Sequence, residues 1–259
     1  MILSRRVAMN GQYLDTLYGS IVIRGIEFDA PKMNIQTIDK MGGVGQRVTS
    51  CRYETLDVVV KWAMDVPKSD LIMRRKIYED VCRWANHGGW LTVNFLPERR
   101  LWVDKTELSS AGDLRDWTGE YTITFRAYSV PFWQDVFPSS ISQTSYSGGT
   151  LSLPIPGAFR TVLDIEFKNT SGSTLNTFSV AVGGYTIGLA GLSCANNSTL
   201  KITHGTDGLL KILVGTTSKY DKRTAASADD LYVDPGTASV TVTTERSGNL
   251  TISAYGRYA

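Results

Sequence analysis

The chain has 259 residues, 42% hydrophobic and 20% charged, with a formal net charge of +2 at pH 7. It is apolar enough to bury a real core and too evenly charged to coat nucleic acid. No apolar run approaches the ~18 residues of a membrane span, and the opening MILSRRVAMNGQY has a basic pair with no apolar stretch behind it, so neither a span nor a signal peptide is expected.

In chain order, YGSIVIRGIEF (18–28) alternates with a period of two: Ile21 and Ile23 share a face, and Ile26 and Phe28 follow after Gly25. MGGVGQRVTSCRYE (41–54) has three glycines in four positions. It lacks a Gly-Lys-Ser/Thr ending and runs into a strand pattern, so it reads as a turn and not a phosphate loop. LDVVVKWAMD (56–65) sets Val58, Val60, Trp62 and Met64 on one face and Val59 and Ala63 on the other, as an interior strand does. A helix is expected over 70–87. Ser69 is its N-cap, Ile77, Tyr78, Val81, Trp84 and Ala85 form one apolar stripe lying over a sheet, Arg74 projects elsewhere, and Gly88-Gly89 is the stop. WLTVNFL (90–96) aligns Leu91, Val93 and Phe95, and RLWVDKTEL (100–108) follows Pro97. EYTITFRAY (120–128) alternates cleanly until Pro131, which cannot donate to a ladder; Phe132 and Trp133 then cover an open end of the core or meet an interface.

The composition changes at that plug. All six tryptophans precede residue 134, and residues 1–137 hold 18 basic and 17 acidic residues against 9 and 8 in 138–259. Two domains are expected, 1–137 and 138–259, with the uncharged PSSISQTSYSGGT (138–150) as linker. Beyond it, TVLDIEFK (161–168) turns Leu163, Ile165 and Phe167 inward. FSVAVGGYTIGL (178–189) is a hairpin on Gly183-Gly184. TLKITHGTDGLLKILV (199–214) is a second, turning through Gly205 to Gly208, and ASVTVTTERSGNLTISAYG (238–256) a third, turning at Ser247-Gly248. Residues 215–236 have no clear strand pattern, and a loop that long is expected to be functional or mobile. The fold class is all-β: two β-sandwiches, the first with one inserted helix, the second of jelly-roll or lectin-like type.

Chemistry is sparse. Cys51, Cys82 and Cys194 suggest reduced thiols and no disulfide framework. His87 sits at a helix C-terminus and His204 beside a hairpin turn, neither near a nucleophile motif; GLSCA (191–195) lacks the last glycine and the helix of a nucleophile elbow. Asp164 with Glu166, and Asp229 with Asp230, read as solvated carboxylates. The sequons at Asn169 and Asn197 count only in a secreted eukaryotic protein. No catalytic, cofactor-binding or metal-binding residues are assigned, and no cofactor is expected.

The order of elements resembles a known family. A short strand (LYGSIVIRGIEF) leads to a Gly-rich loop and a Tyr-containing strand (GGVGQRVTSCRYETLDVVVKWAM). A helix closing on YEDVCRWANHGG follows, then a strand pair around a proline (WLTVNFLPERRLWV) and a strand running into an aromatic-flanked proline (YTITFRAYSVPFW). Together these resemble the distal tail protein (Dit) of long, non-contractile-tailed bacteriophages, over most of 1–137. The resemblance implies a non-enzymatic virion protein, a galectin-like second sandwich, and a ring, typically hexameric, built by the first domain at the end of the tail tube. Its implied partners are further copies of itself, the tail tube protein, and the tail-tip hub or tail-associated fibre or lysin. DNA meets it only in passage through the channel, and assembly takes place in the bacterial host cytoplasm.

The alternative reading is a carbohydrate-binding, lectin-like module of a tail adhesion device, for which loop 215–236 with Tyr220 and Tyr232 would supply the aromatic rings. A polysaccharide-degrading enzyme is disfavoured by the missing acid/base pair. For ring contacts, the Gly-rich loop 41–47 and the segment 97–107 are the expected elements.

Overall fold

The computed structural model describes residues 5–39, 46–109 and 120–259. It is nearly all antiparallel strand, with one α-helix, and divides into two compact units between Trp133 and Gln134.

In the first unit the strands are β1 (Val7–Met9), β2 (Ile21–Phe28), β3 (Met33–Asp39), β4 (Gln46–Tyr53), β5 (Leu56–Met64), β6 (Gly89–Val93), β7 (Arg99–Val103), β8 (Lys105–Leu108) and β9 (Tyr121–Ala127), with α1 (Leu71–Ala85) between β5 and β6. One sheet runs β2-β5-β9-β8, β1, β6 and β7 lie side by side in another, and β3 pairs with β4 in a separate two-stranded sheet. The interior strand β5 matches β9 residue for residue, Trp62 against Tyr121, Val60 against Ile123 and Val58 against Phe125, all buried. On its other side β2 carries a bulge between Ile23 and Gly25. The bulge spends one residue and resets the phase, so Ile26 and Phe28 oppose Val60 and Val58 as Ile21 and Ile23 oppose Met64 and Trp62.

Helix α1 lays its stripe over this sheet. Ile77, Val81, Trp84 and Ala85 are buried, and the Trp84 ring meets Phe125 edge-on at 6.1 Å while its Nε1 donates to Gln12 O at 2.9 Å. Three details differ from expectation. The N-cap is Asp70, whose Oδ1 accepts from Met73 N at 3.0 Å; both Ser69 and Asp70 are capping types, and reach to the third helical N–H decides between them. Arg74 lies on the buried stripe and donates to Val66 O at 3.0 Å. The helix ends at Asn86, and Gly89 already belongs to β6.

RLWVDKTEL divides at Asp104, where the chain leaves one sheet for the other. The Asp104 carboxylate accepts from Tyr128 N, Ser129 N and Ser129 Oγ at 2.7–2.8 Å, which pins the crossing. Phe95 falls beyond the end of β6, 44% exposed, and stacks on Phe28 at 6.2 Å. In the plug, Phe132 and Trp133 are buried against Tyr53 and Phe28.

The second unit holds β10 (Ser139–Tyr146), β11 (Gly149–Ile155), β12 (Asp164–Asn169), β13 (Leu175–Val182), β14 (Tyr185–Cys194), β15 (Thr199–His204), β16 (Leu210–Val214), β17 (Gly236–Thr244) and β18 (Gly248–Ala254). Two sheets, β10-β18-β12-β15-β16 edged by Thr217–Ser218 and β11-β17-β13-β14, close over one apolar core that includes Ile165, Phe167, Phe178, Val180, Val242 and Ile252. Gly183 and Gly184, both at positive φ, make the expected two-residue turn between Val182 and Tyr185.

Two expectations fail here. Residues 138–150 are no linker: β10 pairs along β18, and the chain crosses directly into β11 of the other sheet. β10 is an edge strand with mostly solvated serines and threonines, so its composition looks like a tether while its backbone is laddered. Likewise 238–256 is no hairpin. β17 pairs with β11 and β13, and β18 with β10 and β12, so Glu245–Ser247 bridges the two sheets. Alternation is the same whether two strands pair or face each other across a core.

Candidate assembly interface

β3 and β4 form a two-stranded hairpin whose side chains are largely solvent-exposed. The register places Met33 opposite Tyr53, Ile35 opposite Cys51 and Asn34 opposite Arg52. A bulge then skips Thr49, so that Val48 faces Thr37. The even-numbered Val48 thereby joins the odd-numbered Met33, Ile35 and Tyr53 on one face, which also carries Thr37 and, toward the far end, Asp39 and Gln46. The other face carries Asn34, Gln36, Ser50, Arg47, Arg52 and Ile38. Only the root of the apolar face is covered, where Tyr53 meets Phe132 at 4.9 Å; Met33, Ile35 and Val48 are 48%, 52% and 56% exposed. A two-stranded ribbon is marginal in water alone, and an uncovered apolar face marks a surface of interaction. The sequence reading missed β3, though the alternation of Met33, Ile35 and Thr37 was there to be seen.

Of the expected contact elements, residues 41–45 of the Gly-rich loop lie outside the described residues, while Gln46 and Arg47 begin β4. Segment 97–107 holds the turn before β7, then β7 and most of β8. β8 is a short charged sheet edge, with Glu107 paired to Lys105 and Arg126 at 2.8 Å.

Loop 215–236 is strapped down rather than free. Thr224 N donates to Gly188 O at 2.8 Å, Ala228 N to Thr186 O at 2.7 Å, and Ser227 Oγ to Gly188 O at 2.9 Å, which covers the edge of β14. Tyr220 is engaged by Arg223, whose guanidinium lies 4.9 Å from its ring and donates to its hydroxyl. Tyr232 meets Tyr185 edge-on at 5.5 Å, and burial raises its pKa.

The titratable residues separate into two kinds. Glu166 pairs with Lys201 and Asp229 is exposed, as solvated carboxylates should be. Asp164 and Asp230 instead bracket His204, a correction to the expectation: its Nδ1 lies 2.8 Å from Asp164 Oδ1 and its Nε2 2.7 Å from Asp230 Oδ1, with the imidazole side chain 7% exposed. Two carboxylate partners require both ring nitrogens to donate, which only the imidazolium does. Burial alone would lower the His204 pKa; the hydrogen bonds and charges of Asp164 and Asp230 outweigh it and raise it to about 9. The arrangement is a buried ion cluster of one imidazolium and two carboxylates. Cys194 is buried, and burial raises its thiol pKa, the opposite of what a nucleophile needs. His87 lines a cleft of about 460 Å³ with Tyr18, Asp80 and Arg83, in which Asp80 is satisfied by the other two at 2.6 and 2.7 Å. Asn169, first residue of a sequon, is fully buried. Among the described residues no group of three or more His, Cys, Asp or Glu could hold a metal ion, and no helix is long and apolar enough to cross a membrane.

No family model matches the sequence, and no curated protein matches it significantly. Solved structures do. The crystal structure of the SPP1 Dit (gp 19.1) protein, described as a paradigm of the hub adsorption apparatus in phages infecting Gram-positive bacteria, superposes with a TM-score of 0.65 at 10% identity, over 97% of this chain and 98% of that one. The chain shares the fold of the SPP1 Dit protein. A chain of the phage P2 baseplate, in its activated conformation with calcium, aligns with a TM-score of 0.53 at 8% identity, over 99% of this chain and 98% of that one. Both matches span both units, including the second, for which the sequence offered only length and β pattern.

Proposed function

We propose that this chain is a structural component of a bacteriophage tail tip. It forms a ring, typically of six copies, through its first unit at the distal end of the tail tube, and links the tube to the tail-tip hub around the channel that DNA traverses. The observation that carries this reading is the end-to-end match, 97% of this chain against 98% of the SPP1 Dit protein, with little left over on either side for a different architecture. The uncovered apolar face of the β3–β4 hairpin supports it, since a subunit of an assembly leaves such a surface for its neighbour. Its role is non-enzymatic, its other partners are the tube protein and the hub or fibre, and it is assembled in the cytoplasm of the host.

The test is placement in the particle. An epitope-tagged chain in purified phage, located by gold-labelled antibody in negative-stain electron microscopy, is expected at the tail end distal to the capsid. Label on the capsid, or absence of the chain from purified particles, contradicts the reading.

A further inference from the structure

The same unit carries a second uncovered apolar patch, at the end of the β2–β5 pair opposite to the one from which the hairpin leaves. β2 and β5 run antiparallel, with Ile21 opposite Met64 and Phe28 opposite Val58. The hairpin leaves this strand pair at the Phe28 end and returns at Leu56. Helix α1 starts from the other end, just after Met64, and runs back over the sheet: Tyr78 touches Tyr121, the partner of Trp62, and Trp84 touches Phe125, the partner of Val58. The stretch of β5 from Val58 to Met64 alone separates the two ends by about 20 Å.

At that far end the first turn of α1 is apolar and uncovered. Leu71 is 39% and Ile72 86% exposed, whereas the following turns expose Arg75, Lys76, Glu79 and Arg83. Each copy therefore carries one uncovered apolar face at one end of the β2–β5 pair and one uncovered apolar knob at the other. Two different patches at opposite ends suit a heterologous contact, in which one end of each copy meets the other end of the next, and contacts of that kind close rings.

We propose that the apolar face of the hairpin, Met33, Ile35 and Val48, docks on Leu71 and Ile72 of a second copy of this chain. The proposal rests on the ring reading above and specifies its contact. Docking covers both patches together and gives the marginal ribbon the packing it lacks within its own subunit. The charged face of the hairpin, with Arg47 and Arg52, is left toward solvent or the next layer of the tail.

The test uses the whole chain with Cys51 and Cys82 replaced by serine. One preparation carries Val48→Cys and the other Ile72→Cys; they are mixed with or without tail tubes and treated with a short bismaleimide. Assembly is followed separately by light scattering and electron microscopy. Covalent dimers that appear in the mixture at several times the yield of either preparation alone are the expected result. Assemblies without the 48–72 cross-link overturn the contact and leave the ring reading standing, with the hairpin then free to dock on the tube protein. Failure to assemble under any condition, including with tubes, overturns both. Ile35→Asp supplies a second arm: assembly should fall at least tenfold while the melting profile of the chain stays within a few degrees of the parent, and undiminished assembly of a folded Ile35→Asp chain also refutes the contact.

Discussion

His204 makes the sharpest case at the scale of one residue. Its folded-state pKa is raised from the ordinary value of 6.5 for a histidine to about 9, so the stability it contributes is fully present below 6.5 and is lost as pH rises through about 9. The expected loss is about 3 kcal/mol. Melts of the whole chain between pH 6.5 and 10 should show the second unit weakening over that window, and His204→Gln should flatten the dependence. An unchanged pH profile in the variant would exclude the imidazolium. Asn169 is the neutral counterpart. Its Nδ2 donates to Ser173 O and Cys194 O at 2.7 and 3.0 Å, and its Oδ1 accepts from Ser171 N and Oγ at 3.1 and 2.8 Å. Asn169→Ala strands buried backbone groups and should cost about 2–3 kcal/mol in urea denaturation, where an exposed polar residue would cost almost nothing. Neither role was legible in the sequence. Asp164 and Asp230 lie 40 and 26 residues from His204, and nothing local distinguishes them from Glu166 or Asp229.

Elements were legible where one residue's environment follows from its neighbours. The period of β5, the stripe of α1 and the phase change at Gly25 follow from local alternation, and each dictates which face is buried. The helix stripe gives a direct prediction: Trp84 fills a site between Phe125 and the Gln12 carbonyl, so Trp84→Ala should destabilise the first unit by roughly 3–5 kcal/mol in equilibrium unfolding. A loss below 1 kcal/mol would mean that the helix does not depend on this packing. Elements were misread where pairing decides. β17 and β18 alternate alike whether paired or facing across a core, and β10 is an edge strand whose polar residues mimic a tether. The apolar face of the hairpin was hidden by the bulge at Thr49, which moves Val48 onto the face of Ile35 against the count of residues.

In the chain as a whole, the change of composition after Trp133 marks the passage between two units, and the second unit begins earlier than the polar run suggested. Asp135 already belongs to it. Its backbone N donates to Gly256 O at 3.3 Å, and its Oδ2 accepts from Gly256 N at 3.2 Å and the Tyr258 hydroxyl at 3.3 Å. A fragment starting at Gln134 should therefore fold cooperatively and melt several degrees above one starting at Pro138, by calorimetry of the two side by side; equal midpoints would leave Asp135 without a structural role. Whether the chain closes into a ring is decided by native mass spectrometry of the whole chain, with and without tail tubes. A discrete closed oligomer is expected, six copies in the typical case, with a central opening in electron micrographs. A strict monomer at high concentration that also fails to bind or assemble on tail tubes would contradict it.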